Sequence, residues 1–170
     1  DLSGRIALVT GAGSGLGRAI ALAWARRGAR VLIADIAQVR SEETVALCMA
    51  AGATEASFLP LDIRQEADFQ NARSWLEQHW HGVDIVVNNA GVAGGGNFDG
   101  ISEDDWQWML DINLMGVVRG CRAFTPLFQS QQQGQFVNIA SMAGLLNPPA
   151  MANYNVAKAG VIALSETLAA

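Results

Sequence analysis

Tyr154 and Lys158 are the two residues whose types and spacing could do chemistry. Four positions separate them, so on a helix they would lie on one face, one turn apart. A phenol with an ordinary pKa of about 10 is a weak base at neutral pH, but a neighbouring ammonium favours its ionised form. Such a pair could exchange a proton with the oxygen of an alcohol or a carbonyl group. A Tyr and a Lys at this spacing more often lie on an exposed helix face without a catalytic role, so this interpretation needs support from the rest of the chain.

Ser141 is the third candidate, at the end of a predicted strand over 135–141. Ligands in open α/β sheets bind beyond the carboxyl ends of the strands. We therefore expect the Ser141 hydroxyl to hold the substrate oxygen while Tyr154 accepts or donates the proton.

A glycine-rich segment, 10–17, lies between the first predicted strand and the first predicted helix. Its glycines would let the backbone approach a pyrophosphate, and the free N–H groups at the helix N-terminus would attract the phosphates. A purely structural turn is the alternative. We predict that a dinucleotide contacts the following residues of this segment: Gly11, Ser14, Gly15, Leu16 and Gly17.

Asp35 ends the second predicted strand, 18 residues after Gly17. At this spacing an acidic side chain meets the adenosine ribose, where it can accept both hydroxyls. A 2′-phosphate at the same place would be repelled by the carboxylate, so NAD is expected to bind in preference to NADP. Arg18 and Arg40 are the residues that could soften this preference. The alternative is an Asp that only caps the next helix.

Short apolar stretches alternate with longer segments of helical periodicity along the chain. This alternation predicts a doubly wound, Rossmann-like α/β fold, with a parallel sheet and helices on both faces. The predicted strands are 5–10, 30–35, 56–61, 83–88 and 135–141, and the predicted helices are 14–27, 41–51, 65–80, 102–132 and 153 onward. Ser102 and Asp105 form a predicted capping box, Pro126 is expected to bend or fray its helix, and Pro148 and Pro149 indicate a loop.

The composition favours small-molecule partners. The net charge is −5 with no basic cluster, which argues against nucleic acid and against an anionic membrane surface. No segment reaches the roughly 18 consecutive apolar residues of a membrane span, and no leader or metal cluster is visible. Cys48 and Cys121 match no metal or redox spacing, so we expect two buried thiols in a reducing, cytoplasmic compartment.

Taken in order, these residues resemble the classical short-chain dehydrogenase/reductase family. The resemblance covers essentially the whole chain, and its markers are Thr10-Gly-x-x-x-Gly15-x-Gly17, Asp62, Asn88-Asn89-Ala90-Gly91, Asn113, Ser141 and Tyr154-x-x-x-Lys158. It implies a hydride transfer between NAD(H) and a secondary alcohol or ketone. In this scheme Tyr154 is the acid/base, Ser141 positions the carbonyl and Lys158 also binds the nicotinamide ribose.

The resemblance also implies roles for residues that the spacing alone does not single out. Asp62 and Ile63 would contact the adenine, and Asn113 would interrupt its helix and hold a water linked to Lys158. Asn89, Ala90 and Gly91 would line the cofactor cleft and brace the sheet. NADP-preferring members tend to carry a basic residue where this chain has Ser14 or Ile36, so the family pattern also favours NAD.

Classical family members continue for roughly another eighty residues, so we expect residues 1–170 to form a single NAD-binding domain that lacks the C-terminal strands and turns over poorly by itself. Strand five would then be an exposed sheet edge. By resemblance, a homo-oligomer, dimer or tetramer, is expected. The small, apolar residues 92–95, 142–143 and 145–147 are expected to shape a modest, uncharged substrate pocket. Two other functions stay open. One is a nucleotide-binding module without turnover, and the other is an epimerase or dehydratase that uses the same Ser141, Tyr154 and Lys158 side chains.

Overall fold

The computed structural model describes residues 2–169, in which strands and helices alternate along the chain. The strands are β1 (Ile6–Thr10), β2 (Arg30–Asp35), β3 (Glu55–Pro60), β4 (Ile85–Asn88) and β5 (Gln135–Asn138). The helices are α1 (Gly15–Ala25), α2 (Gln38–Ala51), α3 (Glu66–Trp80), α4 (Glu103–Leu110), α5 (Gly116–Gln131), α6 (Ala143–Leu146) and α7 (Ala152–Leu168). A 3-10 turn, Phe98–Gly100, precedes α4, and a π-helical turn, Asp111–Met115, joins α4 to α5.

The five strands form one parallel sheet in the order β3-β2-β1-β4-β5. From β1 at the centre, the chain adds β2 and β3 on one side and then crosses to add β4 and β5 on the other. The neighbours β1 and β4 therefore send their following segments in opposite directions. This reversal opens a crevice at the carboxyl ends of the strands, where α/β proteins bind ligands. The predicted doubly wound fold is confirmed, and β5 is an edge strand.

Both faces of the sheet are covered, which explains why its central strands read as apolar stretches. On one face, Leu8 packs in a cluster with Phe69 of α3 and Phe124 of α5. On the other face, the next residue of β1, Val9, packs with Ala21 of α1. Each large side chain that is fully buried in this way contributes about 1.5–3 kcal/mol to folding. The two cores fix the strand ends, and with them the loops that form the site.

Helix α2 begins at Gln38, three residues before the predicted start at Ser41. Ser41 is buried inside the helix, and its hydroxyl donates to the carbonyl of Ala37 at 2.8 Å. Asp35 supplies the acceptor at the helix start, because its Oδ1 accepts from the backbone N–H of Ala37 at 2.9 Å. The predicted boundary was wrong because the acceptor comes from the preceding strand.

Strand β5 ends at Asn138, so the prediction that Ser141 belongs to this strand is wrong. Ser141 instead begins a turn: its Oγ accepts from the backbone N–H of Ala143 at 3.1 Å, and the single-turn helix α6 follows. The prolines at 148 and 149 indicated only a loop here. β4 is also shorter than predicted, beginning at Ile85.

Helix α5 continues through Pro126 to Gln131, so Pro126 does not end it. Pro126 is exposed, as is Arg122, whose carbonyl loses its intrahelical donor to the proline. Water can replace that donor at this surface. The predicted capping box at the start of α4 is confirmed, with Ser102 and Asp105 bonded reciprocally.

Within residues 2–169, no helix is both long enough and apolar enough to cross a membrane. The same residues contain no group of three His, Cys, Asp or Glu side chains that could hold a metal ion. Cys48 and Cys121 are free thiols and both are buried, as predicted.

Candidate functional site

A cavity of about 750 Å³ lies along the carboxyl ends of the strands, at the crevice between β1 and β4. Small-molecule sites in proteins have volumes of roughly 300–1,000 Å³. The cavity is lined by the following predicted site residues: Gly11, Ser14, Gly15, Leu16, Gly17, Asp35, Ile36, Asp62, Ile63, Asn89, Ala90, Gly91, Asn113, Tyr154 and Lys158. The structure therefore brings the glycine segment, the acidic residue at the end of β2 and the Tyr-Lys pair to one continuous space.

The glycine segment leads from β1 into the N-terminus of α1. Ser14 is the N-cap with extended backbone, and the first turn of α1 contains no acidic residue. The helix N-terminus therefore presents its unpaired N–H groups and partial positive charge to the cavity. At Gly17 a Cβ would overlap the carbonyl oxygen of Gly11, so only glycine allows this close approach. This arrangement fits the diphosphate of a dinucleotide.

Thr10 and Asn89 join the end of β1 to the end of β4. The Thr10 hydroxyl donates to Val87 O at 3.2 Å and accepts from the backbone N–H groups of Asn89 at 3.0 Å and Ala90 at 3.1 Å. Asn89 Nδ2 donates to Thr10 O at 2.9 Å. Because these groups have their partners within the protein, the crevice is held open by a fixed hydrogen-bond network.

Asp35 faces the glycine segment from the end of β2. One carboxylate oxygen accepts from the backbone N–H of Gly13 at 2.9 Å, and the other accepts from that of Ala37 at 2.9 Å. Each oxygen can still accept a further hydrogen bond. The capping interpretation and the ribose-binding interpretation are therefore compatible. Of the two basic residues expected to soften a preference for NAD, Arg40 lines the cavity and Arg18 does not.

Asp62 follows β3 and forms a bidentate pair with Arg64, with distances of 2.6 and 3.0 Å. The hydrogen bond from Arg64 is the main cause that lowers the pKa of the Asp62 carboxyl. The sequence interpretation did not include Arg64 among the site residues. The next residue, Ile63, is buried, and its Cδ1 lies 2.6 Å from where a Cβ on Gly116 would be. The start of α5 thus holds Ile63 from behind.

Tyr154 and Lys158 lie in the first half of α7. Lys158 is only 4% exposed, and its Nζ donates to the backbone carbonyl of Ile139 at 2.7 Å. The same Nζ lies 5.9 Å from the centre of the Tyr154 ring. Burial away from water lowers the pKa of the Lys158 ammonium. The half-buried phenol of Tyr154 therefore shares the cavity with a desolvated ammonium.

Asparagines on both sides of Tyr154 tie the start of α7 to its surroundings, and sequence reasoning missed both. Asn153 Oδ1 accepts from the backbone N–H of Tyr154 at 2.9 Å, and its Nδ2 donates to Asp105 O at 3.5 Å. Asn155 Nδ2 donates to Pro148 O at 2.8 Å. The available signal was a pair of asparagines directly on either side of a candidate acid/base.

Asn113 lies in the π-helical turn, and this turn is the helix interruption that the family resemblance implied. The side chain is fully buried. Its Oδ1 accepts from the backbone N–H of Val92 at 3.1 Å, and its Nδ2 donates to Met109 O at 3.3 Å. Asn113 thus fixes the loop after β4 against the junction of α4 and α5.

Ser141 does not line the cavity, although its neighbours Ile139 and Ala140 do. Its Oγ is half-buried and accepts from Ala143 N. Among the residues expected to shape the substrate pocket, Val92 and Ala93 line the cavity. The apolar side chains around α6 do not, and three of them are exposed: Met142, Leu145 and Leu146.

Trp108 and Ile112 line the cavity and were not predicted to do so. They are four residues apart, on α4 and in the π-helical turn, so they share one helix face. The sequence signal that could have placed them in the cavity was their spacing of four residues directly before Asn113, a predicted site residue.

Comparisons with known proteins identify relatives across nearly the whole chain. The sequence profile described as short chain dehydrogenase matches residues 5–170. A protein named as a probable galactose dehydrogenase of Rhizobium meliloti is 38% identical over 99% of this chain and 66% of its own length. A short-chain dehydrogenase/reductase from Burkholderia phymatum, solved in complex with NAD, has a TM-score of 0.93 and 39% identity over 98% of this chain and 59% of its own.

An NAD+-bound xylitol dehydrogenase has a TM-score of 0.95 and 32% identity over 99% of this chain and 65% of its own. The chain thus spans about two thirds or less of the length of these relatives. The matched part of this chain nevertheless includes all five strands and the residues that line the cavity. On this evidence the chain belongs to the short-chain dehydrogenase family.

Proposed function

We propose that this protein transfers a hydride between NAD(H) and a secondary alcohol or ketone. The observation that carries the proposal is that Tyr154 and Lys158 line the same continuous cavity as the glycine segment and Asp35. A dinucleotide in this cavity would place its diphosphate at the N-terminus of α1, with its adenosine end near Asp35 and its nicotinamide end near Tyr154 and Lys158. The relatives solved with NAD support the choice of cofactor class.

The residues of the chain would supply the proton chemistry. Tyr154 donates its phenolic proton to a carbonyl oxygen in reduction and, as phenolate, accepts the hydroxyl proton in oxidation. In this proposal the buried Lys158 ammonium, 5.9 Å from the centre of the Tyr154 ring, would offset the negative charge that develops on the phenol oxygen. Ser141 follows the cavity-lining Ala140, and in this proposal its hydroxyl donates to the substrate oxygen. A bound nicotinamide supplies the hydride donor or acceptor.

The preference for NAD over NADP is part of the proposal. Asp35 is held in place by two backbone N–H groups and faces the cavity. At about 4 Å, a phosphate charge and this carboxylate would repel each other by about 4 kcal/mol at an effective dielectric constant of 20. Both ribose hydroxyls of NAD could instead donate to the carboxylate. Arg40, a basic residue that also lines the cavity, could reduce the difference.

The test is a cofactor and substrate assay with matched variants. We expect oxidation of NADH with simple ketones, and a loss of about 10²–10⁴-fold in kcat for Tyr154→Phe with NADH binding retained. Thr167→Val is the control, because it removes a hydroxyl from an exposed position of the same helix, where the hydroxyl only donates to Ala163 O. If Tyr154→Phe kept the wild-type kcat, Tyr154 would not be the acid/base. If the full-length protein bound NADH but reduced no ketone in the panel, the binding-module function would replace this proposal.

A further inference from the structure

Arg18 is a basic residue near the cofactor site whose guanidinium turns away from the cavity. Its Nε donates to Thr44 Oγ1 at 2.9 Å, and one terminal nitrogen lies within 2.8–3.0 Å of three acceptors. These three acceptors are Gly13 O, Arg40 O and Glu43 Oε2. Arg18 therefore joins the glycine segment to α2 and does not line the space where a cofactor would bind.

The peptide groups of Gly13 connect Arg18 to Asp35. The backbone N–H of Gly13 donates to Asp35 Oδ2 at 2.9 Å, and its carbonyl accepts from Arg18 at 2.8 Å. Gly13 is buried, and a Cβ there would lie 3.0 Å from both Asp35 Oδ2 and Ser41 Oγ. This tight packing leaves little room for the segment to shift without moving the Asp35 carboxylate.

The neutral acceptors, more than the ion pair, give this cluster its rigidity. Glu43 is 60% exposed on its side chain, so its attraction for Arg18 is screened by water. Thr44 is fully buried, and its hydroxyl both accepts from Arg18 and donates to Arg40 O at 2.9 Å. The Arg18 side chain is only 23% exposed. Its contacts with Gly13 and Thr44 are therefore shielded from competing water.

We infer that Arg18 is a positioning residue that sets the cofactor preference by holding Gly13, and through Gly13 the Asp35 carboxylate, in the geometry that accepts the ribose hydroxyls. The inference rests on the proposed function, because it requires Asp35 to meet the adenosine ribose. It gives Arg18 the opposite role to that of a 2′-phosphate ligand. As a phosphate ligand Arg18 would favour NADPH, whereas as a positioning residue it favours NADH.

The two roles predict changes of opposite sign. Removing a phosphate ligand would weaken NADPH binding more than NADH binding. Removing a general attraction for the diphosphate would weaken both cofactors equally and leave their ratio unchanged. Removing a positioning residue weakens mainly NADH, because only NADH gains from a correctly placed carboxylate. The ratio of the two dissociation constants therefore distinguishes the three cases.

The experiment compares Arg18→Met, Thr44→Val and Arg26→Met by titration with NADH and with NADPH. Arg26→Met is the matched control: it removes the same charge from an exposed position at the other end of α1. We expect Arg18→Met to weaken NADH binding about tenfold, as for the loss of hydrogen bonds to a charged donor, with NADPH binding changed less than about twofold. Thr44→Val keeps the charge of Arg18 and is expected to shift the ratio in the same direction by about threefold. It also serves as the second variant if Arg18→Met does not fold.

A double-mutant cycle separates this inference from the proposed function. Asp35→Ala should reduce the NADH/NADPH discrimination, and adding Arg18→Met should then change the ratio no further. An unchanged ratio in Asp35→Ala would remove the ribose role of Asp35. A changed ratio in Asp35→Ala, together with an unchanged or NADH-favouring ratio in both Arg18→Met and Thr44→Val, would overturn only the positioning role.

Amide exchange in the ligand-free protein gives a readout that does not depend on cofactor. With Arg18→Met or Thr44→Val, the Gly13 N–H should exchange faster, because its carbonyl is no longer held and its bond to Asp35 opens more often. With Arg26→Met the exchange rate should equal that of the wild type. Unchanged Gly13 exchange in both test variants would also overturn the inference.

Discussion

Gly17 is the position at which the structure makes its sharpest prediction about the cofactor crevice. A Cβ at this position would overlap the carbonyl oxygen of Gly11 and lie 2.6 Å from Nδ2 of Asn89. Ordinary van der Waals contact begins near 3.4 Å, so the Asn89 amide would have to move by about 0.8 Å. That amide donates to Thr10 O at 2.9 Å, a bond between the ends of β1 and β4.

The expected cost of Gly17→Ala follows from these two effects. Overpacking against backbone that cannot easily move costs about 1–3 kcal/mol. Weakening the Asn89 to Thr10 hydrogen bond adds about 1 kcal/mol. We therefore expect the free energy of unfolding to fall by about 2–4 kcal/mol, together with a loss of NADH binding, because Gly11 and Asn89 both line the cavity.

Two other glycines separate close packing from backbone conformation. Gly15 has φ +54° but nothing within 4 Å of its would-be Cβ, so Gly15→Ala should cost only the left-handed strain of about 1 kcal/mol. Gly100 has neither positive φ nor a close neighbour, so Gly100→Ala should stay within about 0.5 kcal/mol of the wild type. Urea unfolding of the three variants measures the series. If Gly17→Ala were as stable as Gly100→Ala, the close approach of α1 to Gly11 and Asn89 would not be the reason for glycine at position 17.

Two further predictions concern buried ionisable groups. Because burial lowers the pKa of Lys158, the folded state binds this proton less tightly than the unfolded state. The ammonium therefore destabilises the fold at pH values below the lowered pKa. This cost disappears as the pH rises through the ordinary pKa of about 10.4. We therefore expect Lys158→Met to exceed the wild type in free energy of unfolding most at neutral pH, with the excess decreasing towards pH 10. The variant should also lose kcat. An excess in the free energy of unfolding that does not vary with pH would contradict this reasoning. Burial raises the pKa of the Cys48 and Cys121 thiols to about 11. The folded protein therefore contains roughly 100-fold less thiolate at these positions than the unfolded chain. Both thiols should react with a thiol reagent at pH 8 only after denaturation. One rapidly reacting thiol in the native protein would disprove the burial of that residue.

The fold was predictable because its signals are local and repeated. β2 has the predicted bounds, and Gly52 ends α2 in the left-handed conformation, as expected for a helix that stops at glycine. Strands that are buried on both faces appear in the sequence as short apolar stretches, and these stretches predicted the parallel sheet. The start of α2 could not be predicted in the same way, because Asp35 in the preceding strand supplies the acceptor.

The candidate site was predictable where a residue type is itself unusual, and less so where tertiary contacts decide. The glycine segment, Asp35 and the Tyr-Lys pair were found by type and spacing. The prediction for Ser141 placed it in a strand, whereas its hydroxyl begins the turn into α6. Arg18 was named as a residue that could soften the preference for NAD, but its guanidinium hydrogen-bonds to Thr44 and Arg40 of α2, and no sequence pattern encodes that choice.

The burial of Lys158 argues against a surface position as the explanation of the Tyr-Lys spacing. A surface lysine would keep its ammonium in water, whereas Lys158 is 4% exposed. Its recorded hydrogen bond goes to the neutral carbonyl of Ile139, and no ion pair among residues 2–169 includes it. A buried cation without a carboxylate partner lowers stability, and a methionine would fill similar space without that cost. The cost of burying this charge beside Tyr154, in a cavity that also contains the glycine segment, is what the proposed proton-transfer role of the pair would account for.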